Sequence, residues 1–268
     1  LAEKHRTQAR SKLRTYKLDG LLKERLVHLL TSEFSPEQAV ERMKLKGQPT
    51  VSVSTAYRLI YADASSGGTL YTHSRSGRRR PKKRPERPTI PGILRNRRPI
   101  SERPAIVDKI ERTGDFEIDT IVGTPRKGAL VTVVDRVSLH TWIVQTPDGS
   151  RRSQLGASVH SSGLRPHRIR IHTITSDNGK EFAEHQRVAK ALKTSWFFAD
   201  PYCTIQRARV ENVHALIRQY LPKGKDLRLA GRKEIRIICD KLNHRPRKKL
   251  GYRTPHEVFF ETTETLII

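Results

Sequence analysis

The stretch Asp115-Phe116-Glu117-Ile118-Asp119-Thr120-Ile121-Val122-Gly123 alternates acidic with apolar side chains, the two-residue period of a strand with one face on a core. Just downstream, Gly128 to Val137 is a β-branched run carrying Val131, Val133 and Val134, and Thr141-Trp142-Ile143-Val144 reads as a third strand. The gaps between these three are short, which predicts an antiparallel meander. Ile171-His172-Thr173-Ile174-Thr175 predicts a fourth strand that runs into Ser176-Asp177-Asn178-Gly179, a turn signal. Lys180 to Leu192 predicts a helix, Trp196-Phe197-Phe198 a fifth strand and Arg207 to Leu221 a long helix. A meander followed by alternating strands and helices makes a mixed-sheet α/β domain.

Upstream the pattern changes. Leu21, Leu22, Leu26, Leu29 and Leu30 recur at helical spacing. Ser35-Pro36-Glu37 is a helix start, with Ser35 as cap and Pro36 at the first helical position, where its missing N–H costs nothing. Lys46-Gly47-Gln48-Pro49 breaks that helix, and Ser52 to Tyr61 fits a third, with Ser52 as its cap. A helix, a break and a hydroxyl-rich second helix is an arrangement that places the second one in a DNA major groove. Residues 75 to 98 then hold eleven Lys or Arg against the single acid Glu86, with four prolines and two glycines. Like charge and proline both oppose a packed core, so this segment is expected as an extended linker that tracks phosphates.

The whole chain carries 53 Lys plus Arg against 27 Asp plus Glu, a formal charge of +26. An excess of that size repels itself in a compact state and points to a polyanionic partner. Two cysteines, Cys203 and Cys239, are too few for a disulfide framework or a four-ligand zinc site. No apolar run approaches the roughly 18 residues of a membrane span, so a soluble intracellular protein that binds nucleic acid is expected.

Against this basic background three acids draw the eye. Asp119 lies inside a strand, Asp177 where the fourth strand ends, and Glu211 on the long helix. If the first and fourth strands are neighbours, the two aspartates converge, and a helix crossing that edge delivers Glu211. Oxygen-only carboxylate ligands suit Mg²⁺, and a metal pocket on a cationic protein suits phosphoryl transfer. Each acid also has a plain structural role open to it. Asp119 could pair with a basic neighbour, Asp177 could open a turn, and Glu211 could bridge to Arg207 four residues earlier.

The same residues carry a resemblance to a known family. Thr113 to Gly123 resembles the first catalytic-aspartate motif of bacterial insertion-sequence transposases of the IS-thirty type, and Thr173 to Phe182 resembles the second. Thirty-three residues separate Asp177 from Glu211, the family's spacing. Leu216 to Gly224, Leu242 to Tyr252 and Thr254 to Phe259 follow in the family's order, and Ser35 to Gln38 with Val51 to Arg58 match its helix-turn-helix. The resemblance implies a ribonuclease-H-like mixed-sheet core at 105–268, of the retroviral-integrase kind. An all-α helix-turn-helix domain at 1–72 and a basic linker at 73–104 would precede it.

It further implies a DDE transposase that binds element ends and catalyses metal-dependent cleavage and strand transfer. Asp119, Asp177 and Glu211 would be both catalytic residues and metal ligands, with two Mg²⁺ ions for which Mn²⁺ can substitute. Asn178, Glu181 and Asn212 would support them. DNA contacts are expected from Ser52, Ser54, Thr55, Tyr57 and Arg58, and from Arg78, Arg79, Arg80, Lys82, Lys83 and Arg84 in the linker. The partners implied are double-stranded DNA, as terminal inverted repeats and target, and further copies of the chain, with no membrane. The expected place of work is the bacterial cytoplasm, at the nucleoid.

Three departures stand out. The chain opens with Leu1, which reads as an N-terminal truncation. Where the family has Gly-Thr-Asn-Glu-Asn, this chain has Ala208-Arg209-Val210-Glu211-Asn212. Residues 147 to 168, which should supply a crossover helix, space their apolar side chains by two and contain Gly149, Gly156 and Gly163. That segment motivates a second reading: a decayed or truncated copy that binds DNA without catalysis.

Overall fold

In a computed structural model of the chain, the alternating stretch forms β1 (Asp115–Val122), the centre of a five-stranded sheet. The structure describes residues 18, 20–74, 96–123, 128–146, 171–201 and 203–264. They fall into two compact units: the residues up to 74 with Pro246–Arg253, and the residues from 96 to 245 with 254–264.

In the second unit β2 (Ala129–Asp135) and β3 (Thr141–Gln145) complete the expected meander. β1 pairs antiparallel with β2, setting Ile118 opposite Val133, and β2 pairs antiparallel with β3. On its other side β1 pairs parallel with β4 (Thr173–Ser176), and β4 pairs parallel with β5 (Ser195–Phe198). The order β3-β2-β1-β4-β5, with three antiparallel strands leading into two parallel ones, is the ribonuclease-H-like arrangement. The first and fourth strands are therefore neighbours, the condition the aspartates needed.

Alternation sorts the strand side chains onto two faces. Phe116 and Ile118 enter one core with Val188 of α4 (His185–Leu192) and Phe259 of α7 (Pro255–Glu264). Ile121, Leu130 and Val134 enter the other, against α5 (Ala208–Tyr220) and α6 (Arg232–Asn243). The helix expected from Lys180 begins only at His185. Lys180–Phe182 is a single 3-10 turn, and Phe182 is fully buried, with its carbonyl 2.9 Å from His185 Nδ1. Packing of Phe182 outweighs helical propensity at this point. The crossover segment 147–168 and the linker arginines and lysines from Arg78 to Arg84 lie outside the described residues.

The first unit contains α1 (Leu21–Thr31), α2 (Pro36–Leu45) and α3 (Val53–Ser65), packed through Leu26, Leu30, Ala39, Val40, Ala56 and Ile60. Ser35 and Gln38 form a reciprocal capping box at the start of α2. Ser52 caps α3 by accepting from Thr55 N at 3.2 Å. Among the described residues no helix is long and apolar enough to cross a membrane.

The exposed edge of the sheet is closed by a side chain. Buried Asn243, at the end of α6, accepts from Thr141 N at 2.8 Å and donates to Thr141 O at 2.8 Å, as a neighbouring strand would. Asn243→Ala leaves Thr141 N without its acceptor, while Thr141 O keeps the Cys239 thiol at 2.9 Å, and is expected to cost about 1–3 kcal/mol. Urea unfolding of the variant checks this, and a loss near zero would mean that water replaces the amide.

Candidate active site

Register alone brings the two aspartates level. Glu117 of β1 stands opposite Thr175 of β4 in a parallel pair, so Asp119 and Asp177, each two residues on, reach the same height, Asp119 still inside β1 and Asp177 just past the end of β4. The strand order reverses between β1 and β4, the place where open α/β sheets build their sites. Asp119 is buried and Asp177 is half-buried just past the end of its strand. Helix α5 packs on this face of the sheet and carries Glu211, exposed, in its first turn.

One guanidinium ties the three together. Arg207, at the foot of α5, donates from Nη1 to Asp119 Oδ2 at 2.8 Å. Its Nη2 lies 3.7 Å from Asp177 Oδ2 and 3.8 Å from Glu211 Oε1. The plain structural role open to each acid is therefore filled, and the three roles describe one cluster. Asp119 has its cation, Glu211 reaches Arg207, and Asp177 Oδ1 accepts from Gly179 N at 2.9 Å to close a turn. Asp119 Oδ1 accepts from Thr120 N at 2.7 Å, which fixes its rotamer.

The electrostatics follow from burial. Asp119 is pushed up from the usual carboxylate range by burial, with Arg207 opposing. Asp177 is pushed up to about 6, first by burial and then by the Asp119 charge, with Arg207 again opposing. His214, whose Nδ1 lies 3.9 Å from Asp119, is driven down to about 3 by burial and then by Arg207 and Arg218. It is neutral at physiological pH, so that approach is not an ion pair.

As the side chains stand, no group of three or more His, Cys, Asp or Glu among the described residues is poised to hold a metal. The donor set is nonetheless chemically that of a hard divalent cation, oxygen only and anionic. The charge it requires is supplied by Arg207.

Asn178 donates to Ala199 O at 2.7 Å and accepts from Arg97 Nη1 at 2.6 Å, so it fastens the loop beside Asp177. Glu181 accepts from Thr120 Oγ1 at 2.9 Å, one residue from Asp119. Asn212 is exposed beside Glu211 on α5. Of the α3 residues expected on DNA, Ser52 is committed to capping, and the Thr55 hydroxyl lies 2.8 Å from Ser52 Oγ and 3.3 Å from Arg58 Nη2. Ser54, Tyr57 and Arg58 are exposed, and the Tyr57 ring stacks on Tyr61.

Sequence reasoning missed Glu117. It is fully buried, and its Oε2 accepts from the backbone amides of Arg209 and Val210, each at 3.0 Å. Its Oε1 lies 3.3 Å from Arg136 Nη1 and 3.5 Å from Arg209 Nη1. A third acid in the alternation of β1, two residues from Asp119, was the available signal.

Comparison with known proteins identifies the family. No family model matches the chain. It is 43% identical over 242 residues to the transposase for insertion sequence element IS4351 of Bacteroides fragilis, covering 90% of this chain and 74% of the relative. It is 33% identical over 252 residues to the transposase for element IS1086 of Cupriavidus metallidurans, covering 90% and 72%. Transposase InsI for element IS30A of Escherichia coli K12 is 31% identical over 249 residues, covering 88% and 64%. A crystal structure of the catalytic core domain of BIV integrase aligns with a TM-score of 0.44 and 19% identity, over 58% of this chain and 99% of that one. The chain belongs to the insertion-sequence transposases, and a transposase of an IS30 element is among the relatives it matches.

The raised carboxyl makes a pH prediction. A group that holds its proton more tightly in the fold than in the unfolded chain favours folding below its ordinary pKa, and loses that contribution as pH rises through the folded value. In metal-free buffer Asp177→Asn is expected to melt above the wild type near neutral pH, with the gap narrowing as pH falls through about 6 toward about 4. Thermal melts across that range check it. A gap that does not change with pH would contradict the assignment.

Proposed function

We propose that Asp119, Asp177 and Glu211 are the acidic triad with which this transposase cuts and joins DNA. The observation that carries the reading is their arrival from β1, β4 and α5 at one place on the sheet, around a single cation. Family membership makes DNA transposition and integration the activity. The triad's role, its metal and its DNA substrates are the part proposed.

In this reading the three carboxylates hold Mg²⁺, two ions in the working state, with Mn²⁺ able to replace it. When bound, divalent ions lower the pKa of an attacking water or hydroxyl and stabilise the departing oxygen at a phosphate. The chain's own residues do the rest. Arg207 gives up its place among the carboxylates and becomes a free cation beside the scissile phosphate. Asn178 keeps the Asp177 loop in register, and Glu181 holds Thr120 so that Asp119 does not turn away. His214, being neutral, adds no competing positive charge to the site. Ser54, Tyr57 and Arg58 of the helix-turn-helix read the terminal inverted repeats, and the basic linker follows the backbone without regard to sequence. A complex holding two element ends and a target uses more than one copy of the chain, at the bacterial nucleoid.

The test is nicking of DNA that carries the element's own ends. The full chain with Mg²⁺ is expected to nick at the element boundary, and Asp119→Asn to lower the rate about a thousandfold or more while leaving end binding intact. Undiminished nicking by Asp119→Asn would remove the triad assignment. Binding by the wild type without any nicking would make this chain a DNA-binding relative that has lost catalysis.

A further inference from the structure

We infer that Glu117 is a positioning residue: it acts as the N-terminal cap of α5 from another element and thereby sets where Glu211 stands. The inference rests on the reading of Glu211 as a member of the triad.

A helix leaves its first amides without partners, and the residue at its start normally accepts from one or two of them. At α5 the capping position is Arg207, whose side chain makes no capping hydrogen bond and reaches instead to Asp119. Nothing local replaces it, since Ala208, Arg209 and Val210 follow without a side-chain acceptor placed for the task. The partners come from the sheet. Glu117 Oε2 accepts from Arg209 N and Val210 N, the second and third helical residues, which are the amides a local cap would take. The carboxylate also meets the positive end of the helix dipole in a site that excludes water.

Glu211 is the residue immediately after this pair. An α-helix is stiff at its first turn once its amides are held, so fixing two successive N–H groups fixes both the height of α5 and its rotation about its axis. Glu117 and Asp119 belong to the same strand and the same face, so β1 supplies one carboxylate of the site directly and sets the position of another. Arg209 contributes its amide and places its guanidinium 3.5 Å from Glu117, while its Nε donates to Arg136 O at 2.7 Å. Val210 is fully buried in the core beneath α5.

The buried anion is held by Arg136 and Arg209. Removing groups that orient a metal's ligands lowers affinity or activity by roughly 10- to 100-fold, and a misplacement near 1 Å costs about 100-fold in rate.

The experiment compares Glu117→Ala, Glu117→Gln and Glu211→Gln in the full chain. Four readouts are taken: Mn²⁺ affinity by calorimetry, end-DNA affinity, single-turnover cleavage, and hydrogen exchange of the peptide spanning residues 207–213. Expected for Glu117→Ala are faster exchange in that peptide, Mn²⁺ affinity down roughly 10- to 100-fold and cleavage down about 100-fold, with end-DNA affinity unchanged. Glu117→Gln keeps an oxygen that accepts both amides, and is expected to restore slow exchange and most of the cleavage. Should Glu117→Ala fail to fold, the Gln variant carries the test. Its exchange then stays slow if the amides are the point of contact, and fast exchange overturns the inference. A folded Glu117→Ala with wild-type Mn²⁺ affinity and cleavage also overturns it. Full cleavage by Glu211→Gln would overturn the triad reading underneath, which is a distinguishable failure.

Discussion

Three carboxylates brought within reach of one another, one of them buried, repel, and the Arg207 guanidinium is what lets them stay there. Its contact with Asp119 spans 88 residues of sequence and joins the start of α5 to the middle of the sheet. In a low-dielectric pocket a pair of this kind is worth far more than on the surface, and removing either partner leaves an uncompensated charge. The carboxyls of Asp119 and Asp177 are raised first by burial, and at Asp177 next by the Asp119 charge, and Arg207 only partly offsets the rise in each. A site left short of positive charge has a physical appetite for more of it. The metal requirement of the proposed chemistry and the folding of β1, β4 and α5 thus meet in the same imbalance.

Much of this is legible in local chemistry. Ser35 with Gln38 and Ser52 with Thr55 announce helix starts because capping is a matter of neighbouring residues. The alternation of Asp115 to Gly123 announces a strand because a two-residue period matches the pleat and not the 3.6-residue turn of a helix. The meeting of Asp119 and Asp177 is legible only as a condition, that the first and fourth strands be neighbours, since strand order is not written in any single segment. Once β1 and β4 are paired, the register does the rest.

What stays hidden are the contacts made across long separations. In the sequence Arg207 is a partner for Glu211 one helical turn away, and nothing near it points to Asp119 or Asp177. Glu117 reads as one acid in an amphipathic strand, while its partners, the amides of Arg209 and Val210, lie more than ninety residues on. The clue is an absence, a helix start with arginine where a hydroxyl or carboxylate belongs. The buried Asn243 that closes the sheet edge is hidden for the same reason. It ends α6, and the strand edge it satisfies at Thr141 lies 102 residues earlier.

The central proposal is that Asp119, Asp177 and Glu211, now gathered around Arg207, are the ligands of a divalent cation. A crystal structure of the full chain grown with Mn²⁺ tests this most directly, because the ion's anomalous signal locates it without reference to any assumed mechanism. The expected result is a peak among the three carboxylates, with the Arg207 guanidinium turned out of contact with Asp119. An Arg207 still bonded to Asp119, with Mn²⁺ bound elsewhere on the chain at saturating concentration, would contradict it.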